Sequence, residues 1–501
     1  MGIAKGIRIV PKVEVSDKYS LSLVYTPGVA ASCLQIKDSE EASFDYTNRE
    51  NSVAVISLSY EDSLKRSIFL KSALNIDAYP LEISSDNPEK IKFVVENIEP
   101  TFCAIDLSLI SDLIEDLQFN VSLPVLKGPV SDLKEFFLCV SKNLFLTDLN
   151  KLEGEVSEKS LKLRKMAGGV IETELSEEEH IKPVAIVTDG SAVLGLGNIG
   201  SLAGLPVMEG KAVLFQSLGS VSAMPLCLNT QDPKEVVEIV LLLENSFSAV
   251  NLEDISAPNC FEVERELIAK SSIPIFHDDQ HGTAIVVLAG LLNAISLVKK
   301  KAEDVHIVIS GAGAAAIAVS KLILCAGFKN VILSDINGAV FKGRPDNNTA
   351  HEEISQYTNL SLKKGSLKEI IKGADVFIGL SAPDLLDEGM IKSMAKNPVV
   401  FALANPVPEI LPEKAKEYGA FIVASGRSDF ENQINNSLAF PGLFKGVLEN
   451  KVSKITTQMK LDSAIAIASL VKDEELKPDY IIPDALDVRV ADVVADNIAA
   501  S

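Results

Sequence analysis

Basic residues are the scarce charge in this chain: 47 Lys and Arg stand against 69 Asp and Glu, a net charge of -22. Binding to a phosphate backbone needs clustered Lys and Arg, so the balance argues against nucleic acid as a partner. A metabolite site is not excluded, because local charges rather than the total set its field. Cysteine is sparse too. Its six positions (Cys33, Cys103, Cys139, Cys227, Cys260 and Cys325) are far apart and form no CxxC pair. That argues against a disulfide framework and for reduced thiols in a cytoplasmic compartment. Long hydrophobic runs are missing: stretches such as Ala284 to Val298 are too short for a bilayer core of ~30 Å. No signal peptide shows at the start, and Met1-Gly2-Ile3-Ala4-Lys5-Gly6 lacks the Ser or Thr of a myristoylation site. These absences predict a soluble cytoplasmic protein with no membrane partner. What is present is 47% hydrophobic content over 501 residues. That is too long a chain for one core and enough for three or four units at roughly 100–200 residues per domain.

One stretch organises the rest. Ile273-Pro274-Ile275-Phe276 reads as an apolar strand, His277-Asp278-Asp279-Gln280-His281 ends it in two adjacent carboxylates, and Gly282-Thr283 opens an apolar helix. An α/β protein presents acids at a sheet edge in this way. Upstream, Val184-Ala185-Ile186-Val187 leads into Thr188 to Gly200, which contains a GxGxxG at Gly195, Gly197 and Gly200. A dinucleotide fingerprint should be followed about 20 residues on by an acid ending a second strand. Here the next apolar run ends in Gln216, so this glycine set is not expected to bind the cofactor. Val305 to Ala316 fits better. It places Gly311, Gly313 and Ala316 between a strand and a helix, and Asp335 closes the next strand 22 residues after Gly313. Further strands at Val376-Leu380 and Val399-Leu403, with helical stretches between, predict a Rossmann-type doubly wound parallel sheet with Asn405 at a carboxyl end. Met459 to Val471 reads as a helix packing back on the body.

The sequence also repeats itself. Ala78 to Leu107 aligns without a gap on Ala223 to Leu252 at a constant offset of 145 positions, which also pairs Pro88 with Pro233. With shifted offsets, Val53-Ile56 resembles Val184-Val187 and Leu123-Pro124-Val125 resembles Ile273-Pro274-Ile275. The polar positions differ: Ser108-Leu109 faces Glu253-Asp254, Arg66 faces Lys211, and Gly128-Pro129 meets Asp278-Asp279. A carboxylate site does not survive such replacements, so residues 54–180 are expected to be an inserted, chemically silent α/β copy. Its close, Glu172 to Glu179, reads as a solvated acidic linker. Assembly, by occupying the place of another subunit's substrate domain, and effector binding are the two roles such a copy suggests.

Taken together, Tyr25 to Ala30, Thr188 to Gly200, Pro206 to Lys211, Asn251 to Ile255, Phe276 to Ala284, Ala402 to Pro406, Gly426 to Asp429 and Asn435-Asn436 resemble the malic enzyme family in its compact microbial form. The resemblance covers about residues 8–52 and 183–450. It departs at the insertion and at Gln216, where the compact type usually has a Lys. It implies an α/β substrate domain beginning in 1–53 and resumed at 181–283 with a metal site, a dinucleotide domain at 284–440 and a helical tail at 441–501. It further implies oxidative decarboxylation of L-malate to pyruvate and carbon dioxide, with NAD or NADP reduced. Glu253, Asp254 and Asp279 would be three hard oxygen ligands for Mg²⁺ or Mn²⁺. Lys211 would take the C2 hydroxyl proton, which requires its pKa to fall from about 10.4. Asp278 would orient Lys211, and Tyr25 would protonate the enol at C3. Asn405, Asn435 and Asn436 would hold the substrate carboxylate and the nicotinamide side; Gly311, Gly313 and Ala316 the pyrophosphate; Asp335 a ribose hydroxyl. A homodimer or higher homo-oligomer is the assembly expected. Malolactic conversion to lactate, or a catalytically inactive sensor of dinucleotide or malate, are the rival readings. Lys342 and Arg344 leave NAD and NADP both open.

Overall fold

The computed structural model describes residues 4–25, 27–127, 164, 165, 167–177, 181–193 and 195–500. It divides into two compact units: residues 1–276 with 452–454, and residues 277–451 with 455–501. The boundary expected at 283/284 therefore falls within the strand before the paired acids. The stretch 441–501, expected as a tail, packs as part of the second unit: helix Phe440–Glu449 lies against helix Arg489–Ala500. Glycine makes that packing possible, because a Cβ at Gly442 or Gly446 would come within 2.8 Å of the Ala491 and Ala495 backbone.

The first unit begins with β1 (Gly6–Pro11) and then builds β2 (Ser52–Ser57), β3 (Asp77–Glu82), β4 (Ala104–Asp106) and β5 (Val125–Leu126) into a parallel sheet of order β3-β2-β4-β5. After β6 (Ile171–Ser176) come β7 (Val184–Thr188), β8 (Ala223–Cys227), β9 (Ala249–Leu252) and β10 (Ile275–His277), in a sheet of order β8-β7-β9-β10. The strands are β-branched runs buried on both faces, as helix-covered parallel sheets require. Sequence repetition and backbone agree closely. Val53 lies opposite Ala78 and Ala104, and Val184 opposite Ala223 and Ala249. Helices Pro88–Ile98 and Pro233–Leu243 both start with proline at the first turn, where its missing N–H costs nothing, behind a capping Asn87 or Asp232. Helices Tyr60–Leu74 and Ser201–Gly219 both stop at a left-handed residue, Asn75 and Ser220.

Residues 171–176 are not a solvated linker but strand β6, paired antiparallel with β1. Ile171 and Thr173 point inward while Glu172 and Glu174 point outward, a period-two pattern that the acidic composition hides. Glu178, Glu179, Gly128 and Pro129, also singled out in the sequence, lie outside the described residues.

In the second unit, β11 (His306–Ser310), β12 (Asn330–Asp335), β13 (Gly338–Ala339), β14 (Val376–Gly379), β15 (Val399–Ala402) and β16 (Ile422–Ser425) form one sheet of order β13-β12-β11-β14-β15-β16. All neighbours are parallel except β13. The chain leaves β11 on one side for β12 and returns on the other as β14, a topological switch point of the kind where doubly wound sheets bind ligands. Asp278–Gly282 forms a single π-helical turn that continues into helix Thr283–Val298. Counted together these 21 residues are long and apolar enough to cross a membrane by length and composition, more than the sequence reading allowed. Most of the apolar stretch is buried inside the unit, packed against helices Ala314–Cys325 and Thr457–Ser469. The last of these matches the helix expected at 459–471.

Candidate active site

Helix Ser201–Gly219 brings the expected base into the first unit's interior. Lys211 is fully buried and its Nζ donates to Glu253 Oε2 at 2.5 Å. Glu253 and Asp254 leave the end of β9 and are each only 3% exposed. Asp254 sits at φ 54°, a left-handed conformation that a non-glycine residue adopts at a cost and that recurs at functional sites. Tyr25 lies against the same helix. A Cβ on Gly210 would stand 3.0 Å from Tyr25 Cδ2 and 2.4 Å from the Val24 carbonyl oxygen. The absence of a side chain at 210 thus lets the tyrosine settle one residue from Lys211.

Two residues to which the sequence assigns no role, Arg164 and Glu209, hold this arrangement. Arg164 is fully buried; its Nη2 donates to the carbonyls of Val24 (2.8 Å) and Pro206 (2.9 Å), and its Nη1 lies 3.5 Å from Glu209 Oε2. Glu209 also accepts from the Asn48 N–H at 2.5 Å and the Val170 N–H at 3.2 Å. Burial pushes its carboxyl up to about 6, against the pull of Arg164. One guanidinium therefore ties the backbone just before Tyr25 to the helix carrying Lys211. No spacing in the sequence marks Arg164; only tertiary burial does. Gly210 sits inside the expected Pro206 to Lys211 stretch but carries no chemistry of its own.

In the second unit Asp278 and Asp279 follow directly on β10, which lies beside β9 in the sheet. The Asp278 carboxylate accepts from Asn436 Nδ2 at 3.1 Å, and the same nitrogen lies 3.3 Å from the Asp278 carbonyl. Asn436 Oδ1 accepts from the Thr283 hydroxyl at 3.2 Å. Asn436, expected to hold substrate, thus also ties down the first of the paired acids. Asn435 Oδ1 caps the short turn that follows by accepting from the Ser437 N–H at 2.9 Å. His277 is buried, with Nδ1 3.7 Å from Asp279 Oδ2.

The dinucleotide elements fall where the sequence places them. Gly311 joins β11 to its helix at φ 121°, where a Cβ would also meet the Leu380 carbonyl oxygen at 2.7 Å. A Cβ at Gly313 would meet nothing within 4 Å, so this backbone is open to a close-approaching phosphate at the start of helix Ala314–Cys325; Ala316 is buried in that helix. Asp335 ends β12, and its carboxylate takes both terminal nitrogens of Arg344, the Nη1 contact at 2.8 Å. The Arg344 bond and the Asn337 N–H hold that carboxyl below its usual range, although partial burial opposes them. His351, which sequence reasoning did not single out, hydrogen-bonds the Ala312 carbonyl through Nε2 at 3.0 Å and lies 4.0 Å from Asp335. Asn405 follows β15 and is half-buried, near Gly426. Gly195, Gly197 and Gly200 lie in the first unit, between β7 and helix Ser201–Gly219.

Known proteins resemble this chain over both units. The model described as "Malic enzyme, NAD binding domain" matches residues 280–501, and "Malic enzyme, N-terminal domain" matches residues 157–234. The second match begins within the stretch 54–180, so family-like sequence resumes upstream of the boundary expected there. The bifunctional malic/malolactic enzyme of Bacillus subtilis is 54% identical over 317 residues, covering 63% of this chain and 77% of the relative. The NAD-dependent malic enzyme of Geobacillus stearothermophilus is 51% identical over 62% of this chain, which spans 65% of that relative's length. Among solved structures, the NAD-dependent malic enzyme of Thermotoga maritima superposes with a TM-score of 0.62 at 48% identity, over 64% of this chain and 84% of that one. Identity above one half to a relative spanned over more than three quarters of its length establishes that the chain belongs to the malic enzyme family.

Proposed function

We propose that the chain oxidatively decarboxylates L-malate to pyruvate and carbon dioxide while reducing NAD or NADP. The observation that carries this reading is the fully buried Lys211 bonded to Glu253 at a strand end, with Tyr25 packed over the adjacent Gly210. Two nearly inaccessible neighbouring acids, Glu253 and Asp254, are costly without compensating positive charge. They fit, with Asp279 after the adjacent strand, an all-oxygen Mg²⁺ or Mn²⁺ site. When bound, the cation polarises the C2 oxygen and stabilises negative charge as carbon dioxide leaves, and NAD(P) accepts the C2 hydride. Lys211 accepts the C2 hydroxyl proton, and Tyr25 supplies a proton to C3 of the enol. Asp278, fixed by Asn436, is the acid proposed to orient Lys211. Gly311, Gly313 and Ala316 line the pyrophosphate place, and Asn405 and Asn435 face the nicotinamide and substrate carboxylate.

NAD is the preferred cofactor in this reading. Asp335 carries the charge that suits a free 2′-hydroxyl, and Arg344 is committed to it rather than free for a 2′-phosphate. The expected assembly is a homodimer or higher homo-oligomer, and the compartment is the cytoplasm. Incubation with L-malate, Mn²⁺ and either cofactor, with product identification, tests the reading: pyruvate and reduced cofactor in equal amounts support it. Lactate without net cofactor reduction would establish the malolactic reading instead, the one favoured by the bifunctional name of the 54% identical relative.

A further inference from the structure

The two repeats of the first unit touch each other reciprocally. Ser84 N–H donates to the Leu242 carbonyl at 2.8 Å, and Asn229 N–H donates to the Asn97 carbonyl at 2.8 Å. Glu82 N–H donates to Ser246 Oγ at 2.7 Å, and Cys227 N–H to Thr101 Oγ1 at 2.9 Å. The same hydroxyls return a bond to the carbonyls of Glu82 (3.2 Å) and Cys227 (3.5 Å). Every partner is exchanged under the 145-residue offset: 82 with 227, 84 with 229, 97 with 242, 101 with 246. If a group i of one repeat bonds j of the other, the group equivalent to i bonds the equivalent of j. Only a two-fold relation between repeats does this; a translation or an arbitrary docking does not. A second, separate feature agrees. The strand that precedes the first sheet, β1, pairs antiparallel with the strand that precedes the second, β6.

We infer that the face formed by β8, helix Pro233–Leu243 and Ser246 is a subunit interface filled from within the chain. Residues 53–126 are a tethered partner, and one chain is an internal pseudo-dimer with a single chemically equipped half. A self-complementary face of this kind is what a two-fold homodimer uses, and tethering replaces a concentration-dependent encounter by a permanent one. Any oligomer the chain forms therefore uses other surfaces, and the silent repeat is conserved in backbone because its work is to complete that interface. The polar centre of the junction has outlived the chemistry: Thr101 and Ser246 are both buried hydroxyls at related positions, whereas Glu253 has become Ser108.

Ser84 and Asn245 are exposed and touch across the junction, Oγ to Nδ2, at 3.1 Å, and neither belongs to the proposed machinery. The double variant Ser84→Cys with Asn245→Cys, oxidised in the full chain and run denatured without reductant, is expected to cross-link within single chains at the 53.8 kDa mass, with malate turnover changed less than two-fold. Cross-linked pairs of chains, or no cross-link at all, would overturn the inference. The readout, single-chain mass together with faster migration of the internally cross-linked chain than of its reduced form, is independent of which reaction the enzyme performs. A second variant tests function. Thr101→Arg, in the repeat without a site, is expected to lower turnover at least ten-fold, and so is its counterpart Ser246→Arg. A folded Thr101→Arg protein with unchanged turnover would overturn the claim that the silent repeat supports the active one; if the variant does not fold, the cross-link still decides.

Discussion

Two sheets with one strand order sit side by side in the first unit, and they differ where strands end. In the first, Arg66 Nε bonds Asp106 Oδ2 at 2.9 Å, and Ser108 caps the same acid. In the second, Lys211 bonds Glu253, and Asp254 follows. Both helices place a cation at the same repeat position against a buried acid, but the acids come from different positions, Asp106 matching Asn251 and Glu253 matching Ser108. What separates the halves is the second carboxylate and the exchange of an always-charged guanidinium for an amine able to lose its proton. Register, caps and the reciprocal junction are set by burial and backbone hydrogen bonding, and they tolerate loss of chemistry.

The largest effect that would sharpen this contrast is expected from Glu253→Gln, which removes both a partner of Lys211 and one proposed metal ligand. Turnover should fall at least about 10³-fold, by analogy with loss of an electrostatic group in a closed site, and Mn²⁺ titration of the remaining activity should shift to higher concentration. Ser108→Ala, at the related position, should leave both unchanged. Arg164→Met comes next. Removing one partner of a buried ion pair costs about 3–5 kcal/mol, read as a lowered melting temperature, and Arg164→Lys should restore part of it. The pH dependence has a defined sign. Glu209 is raised to about 6 by burial, so the folded protein holds more protons than the unfolded one, and stability falls as pH climbs from about 4.5 through 6. Without Arg164 the carboxyl rises further, and the variant's deficit should be larger at pH 8 than at pH 5. Gly210→Ala would push on Tyr25 and the Val24 carbonyl, and about a 10²-fold loss in kcat is expected from a displacement near 1 Å. The smallest effect is that of Asp335→Asn, with KM for NAD rising about ten-fold while kcat holds, measured by initial rates.

The dinucleotide sheet was legible because the glycines came with their context: a strand before, a helix after and Asp335 at the proper distance. The isolated Gly195-Gly197-Gly200 set lacked that acid and fell in the other unit. The repeat was legible because buried strands and proline-started helices preserve apolar order. Strand β6 was obscured by Glu172 and Glu174, which face outward from a strand as readily as from a linker. Arg164 was invisible because a lone arginine reads as surface until three buried acceptors converge on it. Asn435 and Asn436 were visible as amides, but the sequence did not divide their duties: Asn436 serves Asp278, and Asn435 caps a turn.

The most direct test is malate turnover of two single variants measured together, Lys211→Ala and Arg66→Ala, each with its melting temperature. It predicts that Lys211→Ala loses about 10²–10⁴-fold in kcat, the range for a lost general base. Arg66→Ala is predicted to stay within two-fold of the unaltered enzyme, with some loss of stability. Equal losses of turnover in both, or none in Lys211→Ala, would contradict it.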